Sequence, residues 1–155
     1  MNWVIKSFVE LTSTEVYEIL QLRNEVFVVE QNCPYQDADG KDFQGIHVLG
    51  QNDFNQLVAY CRILPIGLAY SHSASIGRVV NSSLVRGTGA GKKLMETAIH
   101  YAIKELKYPL ITISAQSHLQ RFYEELGFKR TDKKEYLEDD IPHREMELRA
   151  TLLVK

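Results

Sequence analysis

The stretch Arg86-Gly87-Thr88-Gly89-Ala90-Gly91-Lys92-Lys93 has the residue types and the spacing to do chemistry. Glycines at alternate positions leave backbone N–H groups uncovered, and the stretch leads straight into a run with helical apolar spacing. The first N–H groups of a helix have no partner within it and carry partial positive charge, so they suit an anion such as phosphate. Arg86, Lys92 and Lys93 add charge of the same sign. Spacing excludes two familiar phosphate loops. A Walker loop sets four residues between Gly and Gly-Lys-Ser/Thr, whereas three lie between Gly87 and Gly91, and Lys93 replaces the hydroxyl that would hold magnesium. A dinucleotide fingerprint reads Gly-x-Gly-x-x-Gly after a first strand, and here Gly-x-Gly-x-Gly follows an internal one. A plain glycine-rich turn has the same composition, but the flanking strand, the helix and the cations favour an anion site.

Other reactive side chains are scattered. Cys33 and Cys61 are the only cysteines and form no Cys-x-x-Cys pair, as expected of two free thiols in a reducing cytoplasm. An acyl-cysteine at Cys33 would need a lowered pKa and a neighbouring base, and no sequence feature supplies either. His47, His118, His143, Cys33 and Cys61 show no metal-ligand spacing, so no metal is expected.

Positioning such a loop requires a folded domain, and the chain is sized for one. Its 155 residues, 45% hydrophobic and 25% charged, suit a single domain over 1–155 with one sizeable core. A net charge of −2 provides no basic excess, so nucleic acid is not an expected partner. The longest apolar stretch, Ile63–Tyr70, contains Pro65 and Gly67 and is far shorter than the ~20 residues of a membrane span. Lys6 and Glu10 interrupt any apolar leader. The expectation is a cytoplasmic protein with no membrane partner.

Asn2–Phe8 reads as a strand, and Thr12-Ser13-Thr14-Glu15 as a capping box opening a helix that continues towards Glu30. Gln31–Gly45 is rich in turn formers. His47–Gln51 and Leu57–Pro65 form a hairpin across Asn52–Asn55, and Ala74–Asn81 reads as a buried strand. Gly91–Leu106 keeps a helical period, and Leu110–Ala115 is strand-like. Ser117, with Gln120 in the reciprocal position, is expected to cap a short helix carrying Leu119, Phe122, Tyr123 and Leu126, with Gly127 as its C-cap. The tail supplies two strands around a loop at Glu138–Pro142, the last strand running from Arg144 to about Leu153. The order predicts an α/β (α+β) fold around one mixed sheet of six to seven strands.

Arg86-x-x-Gly89-x-Gly91 resembles the pyrophosphate-binding signature of the GCN5-related N-acetyltransferase (GNAT) superfamily. Phe122-Tyr123-Glu124-Glu125-Leu126-Gly127-Phe128 resembles the same family's Phe-Tyr-x-x-x-Gly-Phe motif, at the family's separation. Phe27–Asp37, Ile76–Val79, Ala115–Gln120 and Ile141–His143 resemble segments of its ElaA-like branch.

The resemblance implies a sheet splayed in the middle, with acetyl-CoA as cosubstrate between Ala74–Asn81 and Leu110–Ala115. Backbone groups of Val79 and Val80 would pair with pantetheine. Arg86, Gly87, Thr88, Gly89, Ala90, Gly91 and Lys92 would hold the pyrophosphate, and Gln116 stands where many members carry Asn. Tyr123 is implied as the general acid for the departing thiolate, although it also continues an apolar stripe. Glu30, His47 and His143 are the candidate bases or acceptor-side groups. Asp37 and Asp39 could draw a cationic amine, though acidic loop residues are commonly just solvated.

The implied reaction is direct acetyl transfer to a primary amine, on a small molecule or a peptide. The alternative is a non-catalytic acyl-CoA binding or sensing module on the same fold. A homodimer through the C-terminal strands is compatible with either.

Overall fold

The computed structural model describes residues 1–152. One mixed sheet of eight strands forms the frame, in spatial order β1-β2-β3-β4-β5-β8-β6, with β7 also on β8. The strands are β1 (Asn2–Ser7), β2 (Ile46–Gln51), β3 (Leu57–Leu64), β4 (Ala74–Asn81), β5 (Leu110–Gln116), β6 (Lys129–Arg130), β7 (Tyr136–Glu138) and β8 (Ile141–Arg149). Neighbours pair antiparallel except β4 and β5, which are parallel.

Strand alternation sends successive side chains to opposite faces, and each face acquires a helix. Helix α2 (Ala90–His100) lays Leu94, Met95 and Ala98 against Val48, Cys61, Ile111 and Ile113 on one side. Helix α1 (Ser13–Arg23) lays Ile19 and Leu22 against Leu49, Tyr60 and Val80 on the other. The Thr12 capping box forms: Glu15 N–H donates to Thr12 Oγ1 at 3.1 Å, and Thr12 N–H donates to Glu15 Oε1 at 2.9 Å. Past their α-helical turns both helices widen into π-helical ones, Asn24–Glu30 and Tyr101–Glu105. Bonds from Gln31 N–H to the Val26 carbonyl and from Leu106 N–H to the Tyr101 carbonyl close them.

The third helix, α3 (Gln120–Glu125), departs from expectation at its start. Ser117 belongs to a preceding 3-10 turn, and its hydroxyl donates to Glu135 at 2.7 Å instead of capping. Gln120 reaches forward to Glu124 instead of back. The C-terminal end follows expectation: Gly127 has φ +105°, and Phe128 N–H and Gly127 N–H bond the Tyr123 and Glu124 carbonyls.

The tail holds three strands where two were expected. Both β6 and β7 lie on the outer edge of β8, β6 against Glu147 and Met146 and β7 against Ile141–His143. The anticipated Glu138–Pro142 loop is a tight turn at Asp139 and Asp140, φ +52° and +62°, backbone that Asp tolerates better than most residues. The last strand therefore begins at Ile141 and ends at Arg149, followed by a 3-10 turn, Ala150–Leu152; the expected end at Leu153 lies outside the described residues. Among the described residues no helix is long and apolar enough to cross a membrane.

Candidate functional site

The parallel pairing of β4 with β5 stops after Ala74–Ile111 and Ser75–Thr112. Beyond Ser75 the strands diverge, and a cleft of about 1060 Å³ opens between them. A bulge in β4 shapes one lip. Tyr60 pairs with Val80 and Arg62 with Gly77, so Arg78 and Val79 together oppose Cys61. Arg78 has φ +51° there, and such a bulge re-aims the backbone of its strand. Val79 and Val80 line the cleft with Gln116, Tyr123, Glu30, Arg86 and His143.

The glycine-rich loop runs from the end of β4 to the first turn of α2. Gly87 and Gly89 have φ +77° and +86°, and a Cβ at either would meet nothing within 4 Å. Gly89 is the N-cap residue and supplies no side-chain cap. Thr88 N–H bonds the Val85 carbonyl and Lys93 N–H bonds Gly89. The amides of Gly87, Gly89, Ala90, Gly91 and Lys92 have no protein partner among the described residues. Arg86, expected beside the anion, lines the cleft and grips Glu30 at 2.6 and 3.1 Å and the Asn81 carbonyl at 3.1 and 3.2 Å. Near the loop, Asn81 Oδ1 is a buried acceptor with no partner. Bare amide donors and an orphaned acceptor fit a ligand with a diphosphate and an amide-bearing arm.

Tyr123 enters from α3, packed edge-on against Phe122 and Phe128 at 5.1 and 6.0 Å. Its ring is core as well as cleft wall. Burial, with Cys61 nearby, pushes its phenol up to about 12, so at neutral pH the hydroxyl keeps its proton and can donate it.

The candidate bases are arranged differently from one another. Glu30 lines the cleft, but the bonds from Arg86 hold its carboxylate below the usual range and weaken it as a base. His47 is buried under α1's face, outside the cleft lining. Its Nδ1 is 2.7 Å from the Tyr60 hydroxyl and its Nε2 2.9 Å from the Asp42 carbonyl. Both nitrogens are engaged, and burial lowers its pKa. His143 lines the cleft, nearly buried, directly opposite Gln116 across β5 and β8.

Asp37 and Asp39 are not solvated loop residues. Arg23, fully buried, donates to Asp37 Oδ2 at 2.6 Å and to Asp42 at 2.7 Å. Arg62 binds both Asp39 oxygens at 2.8 and 2.6 Å and Asp42 at 3.0 Å. The bulged Arg78 donates to the Asp37 carbonyl at 2.9 Å, and its Nε lies 2.8 Å from Asp37 Oδ1, near but poorly aligned for a hydrogen bond. Cations and anions balance, and the network staples the Gln31–Gly45 loop across β3 and β4. Cys33 belongs to this loop, its thiol pushed up by burial and by Asp139 and Asp140, the reverse of a nucleophile's setting. No cluster of metal-ligating side chains occurs among the described residues.

Ser114, Tyr136, Glu138 and Tyr70 also gather at or beside the cleft. Sequence reasoning did not single them out, because they come from separate strands and a loop with no local motif.

Residues 23–150 match the family model described as an acetyltransferase (GNAT) domain. The chain is 42% identical to ElaA of Escherichia coli strain K12 over 146 residues, 92% of this chain and 93% of that one. An acyl-CoA N-acyltransferase from Pseudomonas aeruginosa has a crystal structure with TM-score 0.87 and 44% identity, covering 96% and 99% of the two chains. An aminoglycoside 6'-N-acetyltransferase complexed with coenzyme A shares the fold alone, at TM-score 0.70 and 15% identity over 95% and 97% of the chains. The chain belongs to the GNAT acetyltransferase family.

Proposed function

We propose that this GNAT protein transfers the acetyl group of acetyl-CoA directly to a primary amine. The observation that carries the reading is the cleft between β4 and β5, which leads to a loop whose amides lack protein partners. The free loop amides of Gly87, Gly89, Ala90, Gly91 and Lys92 hold the pyrophosphate, and Asn81 and Gln116 meet the amide-bearing arm. Backbone groups at Val79 and Val80 act as the added strand's partner, and a bulge N–H polarises the thioester carbonyl as an oxyanion donor.

The amine nitrogen attacks the thioester carbon, the C–S bond breaks, and Tyr123 protonates the thiolate. The phenol, raised to about 12, stays protonated and uncharged at neutral pH until the sulfur anion develops beside it. The raised thiol of Cys33 disfavours a covalent detour through sulfur and supports direct transfer.

The test is CoA-thiol release measured over a panel of primary amines, with Tyr123→Phe alongside. Turnover in the wild type and a loss of about 10²- to 10⁴-fold in the variant, with acetyl-CoA binding retained, is expected. Unchanged turnover removes Tyr123 from the acid role. Tight CoA binding without thioester cleavage by any amine would mark a binding module instead.

A further inference from the structure

We propose that Nε2 of His143 takes the proton from the incoming amine and that Glu138 holds the resulting imidazolium in place. The inference rests on the acetyl-transfer reading and identifies its base.

His143 Nδ1 lies 2.7 Å from the Ile141 carbonyl oxygen. A carbonyl only accepts, so Nδ1 carries the hydrogen and the lone pair of the neutral ring belongs to Nε2. That nitrogen is 3.3 Å from Glu138 Oε2. Before proton transfer the carboxylate faces a lone pair; afterwards it faces N–H⁺ and forms a charge-assisted bond. The ring stacks on Tyr136 at 6.1 Å. Ser114 bonds the Tyr136 hydroxyl and, at 3.4 Å, Glu138, so one shared polar group orients both neighbours of the imidazole.

The faces of the sheet separate the two proton-handling groups. Gln116 and His143 are directly opposed, so their side chains leave the sheet on one face, together with Ser114. Tyr123 packs with Ile113 and Ala115, which alternate to the other. Acid and base reach the gap between β4 and β5 from opposite sides. A nucleophile can arrive at one side of a thioester in that gap while the leaving sulfur is protonated at the other. The charged and titratable groups around His143 are Glu138 and Tyr136 on β7, Asp139 and Asp140 at the turn, and Tyr70 before β4, near Tyr136, Glu138 and Glu145. β5 contributes neutral Ser114 and Gln116. Glu30 and His47, engaged as described, are not free for this task.

The protons balance. The ammonium gives one to Nε2, which passes it to solvent past the half-exposed Glu138. The nitrogen sheds a second as it becomes an amide, matching the one Tyr123 gives to sulfur. Products are the acetamide, CoA thiol and one proton.

The experiment is the pH profile of kcat/KM for an amine accepted by the wild type, with acetyl-CoA affinity measured by calorimetry on each protein. The wild type is expected to show an acidic limb. His143→Gln should lose about 10²- to 10⁴-fold at neutral pH and follow the concentration of free amine, with acetyl-CoA affinity unchanged. His143→Ala should be partly rescued by added imidazole, and Glu138→Gln should lose less. A His143→Gln protein that keeps the wild-type rate and limb overturns the inference while leaving the acetyl-transfer reading intact. A wild type that releases no thiol with any amine overturns the reading first and the inference with it. Independently of activity, ¹⁵N NMR of the wild type should find the neutral ring of His143 protonated at Nδ1; the Nε2–H tautomer overturns the assignment.

Discussion

Adding one methyl group at Gly89 separates backbone strain from ligand recognition, provided Gly67→Ala is made beside it. Both glycines occupy left-handed backbone, φ +86° and +92°, and a Cβ at either meets nothing within 4 Å. Alanine therefore brings the same penalty to each, about 1–2 kcal/mol, with no steric addition. For a chain of this size that corresponds to a fall in Tm of about 2–8 °C. Only Gly89 stands at the head of α2, where the new methyl enters the open space beside amides that have no protein partner and competes there with a bound anion.

A hydrogen bond to a charged group contributes about 1.5–3 kcal/mol, so masking one amide should raise the CoA dissociation constant roughly 10- to 150-fold. Differential scanning calorimetry supplies the first number and isothermal titration with CoA the second. Equal losses of thermal stability with a large difference in CoA affinity are expected. Matched CoA affinities in Gly67→Ala and Gly89→Ala would refute the proposal that these amides hold the diphosphate.

Removing the cation at the centre of the buried network should be far more damaging than breaking a surface pair. Arg23→Ala leaves Asp37 and Asp42 short of a partner and should cost about 3–5 kcal/mol, whereas Lys6→Ala, which breaks a half-exposed pair with Glu15, should cost at most about 1 kcal/mol in urea denaturation. Comparable losses would remove the network from its structural role. Stability should also fall with acid in two stages. Burial depresses His47, so the unfolded chain takes up that proton first, and stability declines below the ordinary histidine value of about 6.5. Burial alone would raise Asp39 and Asp42, but Arg62 on both and Arg23 on Asp42 hold them below the usual range. Their contribution is complete above the ordinary carboxylate value of about 4 and is lost as pH falls below it. Urea midpoints against pH should show His47→Gln lacking the first decline and keeping the second; a variant that declines as the wild type does would reject His47 as the source.

The local signals in the chain were legible where the physics is local. The Thr12–Glu15 box, the β2–β3 hairpin, the strand Ala74–Asn81 and the Gly127 C-cap each depend on a few neighbouring residues, and each formed. The splay of β4 from β5 followed from the family resemblance and not from any period in the sequence. The bulge was invisible, because Ile76-Gly77-Arg78-Val79 reads as regular strand and nothing local marks an arginine for positive φ. The aspartates were misread for a related reason. Arg23 lies 14 positions from Asp37, Arg62 lies 23 from Asp39 and Arg78 lies 41 from the Asp37 carbonyl, so only the assembled sheet tells a neutralised carboxylate from a hydrated one. Ser117 had the right offset for a cap, yet a distant carboxylate on Glu135 won its hydroxyl.

The ladder between β4 and β5, two residue pairs reinforced by the Ser73–Thr112 hydroxyl bond at 2.6 Å, makes the middle of the sheet a thin seam. On either side the plates are broad and well pinned. A guest laid along that seam would add rungs where two long strands share only two pairs, so occupancy and stiffness should rise together. Amides of the flanking strands would then exchange their hydrogens more slowly as the guest accumulates. In such an arrangement the guest serves for a moment as masonry, and its departure loosens the wall through which the next one enters.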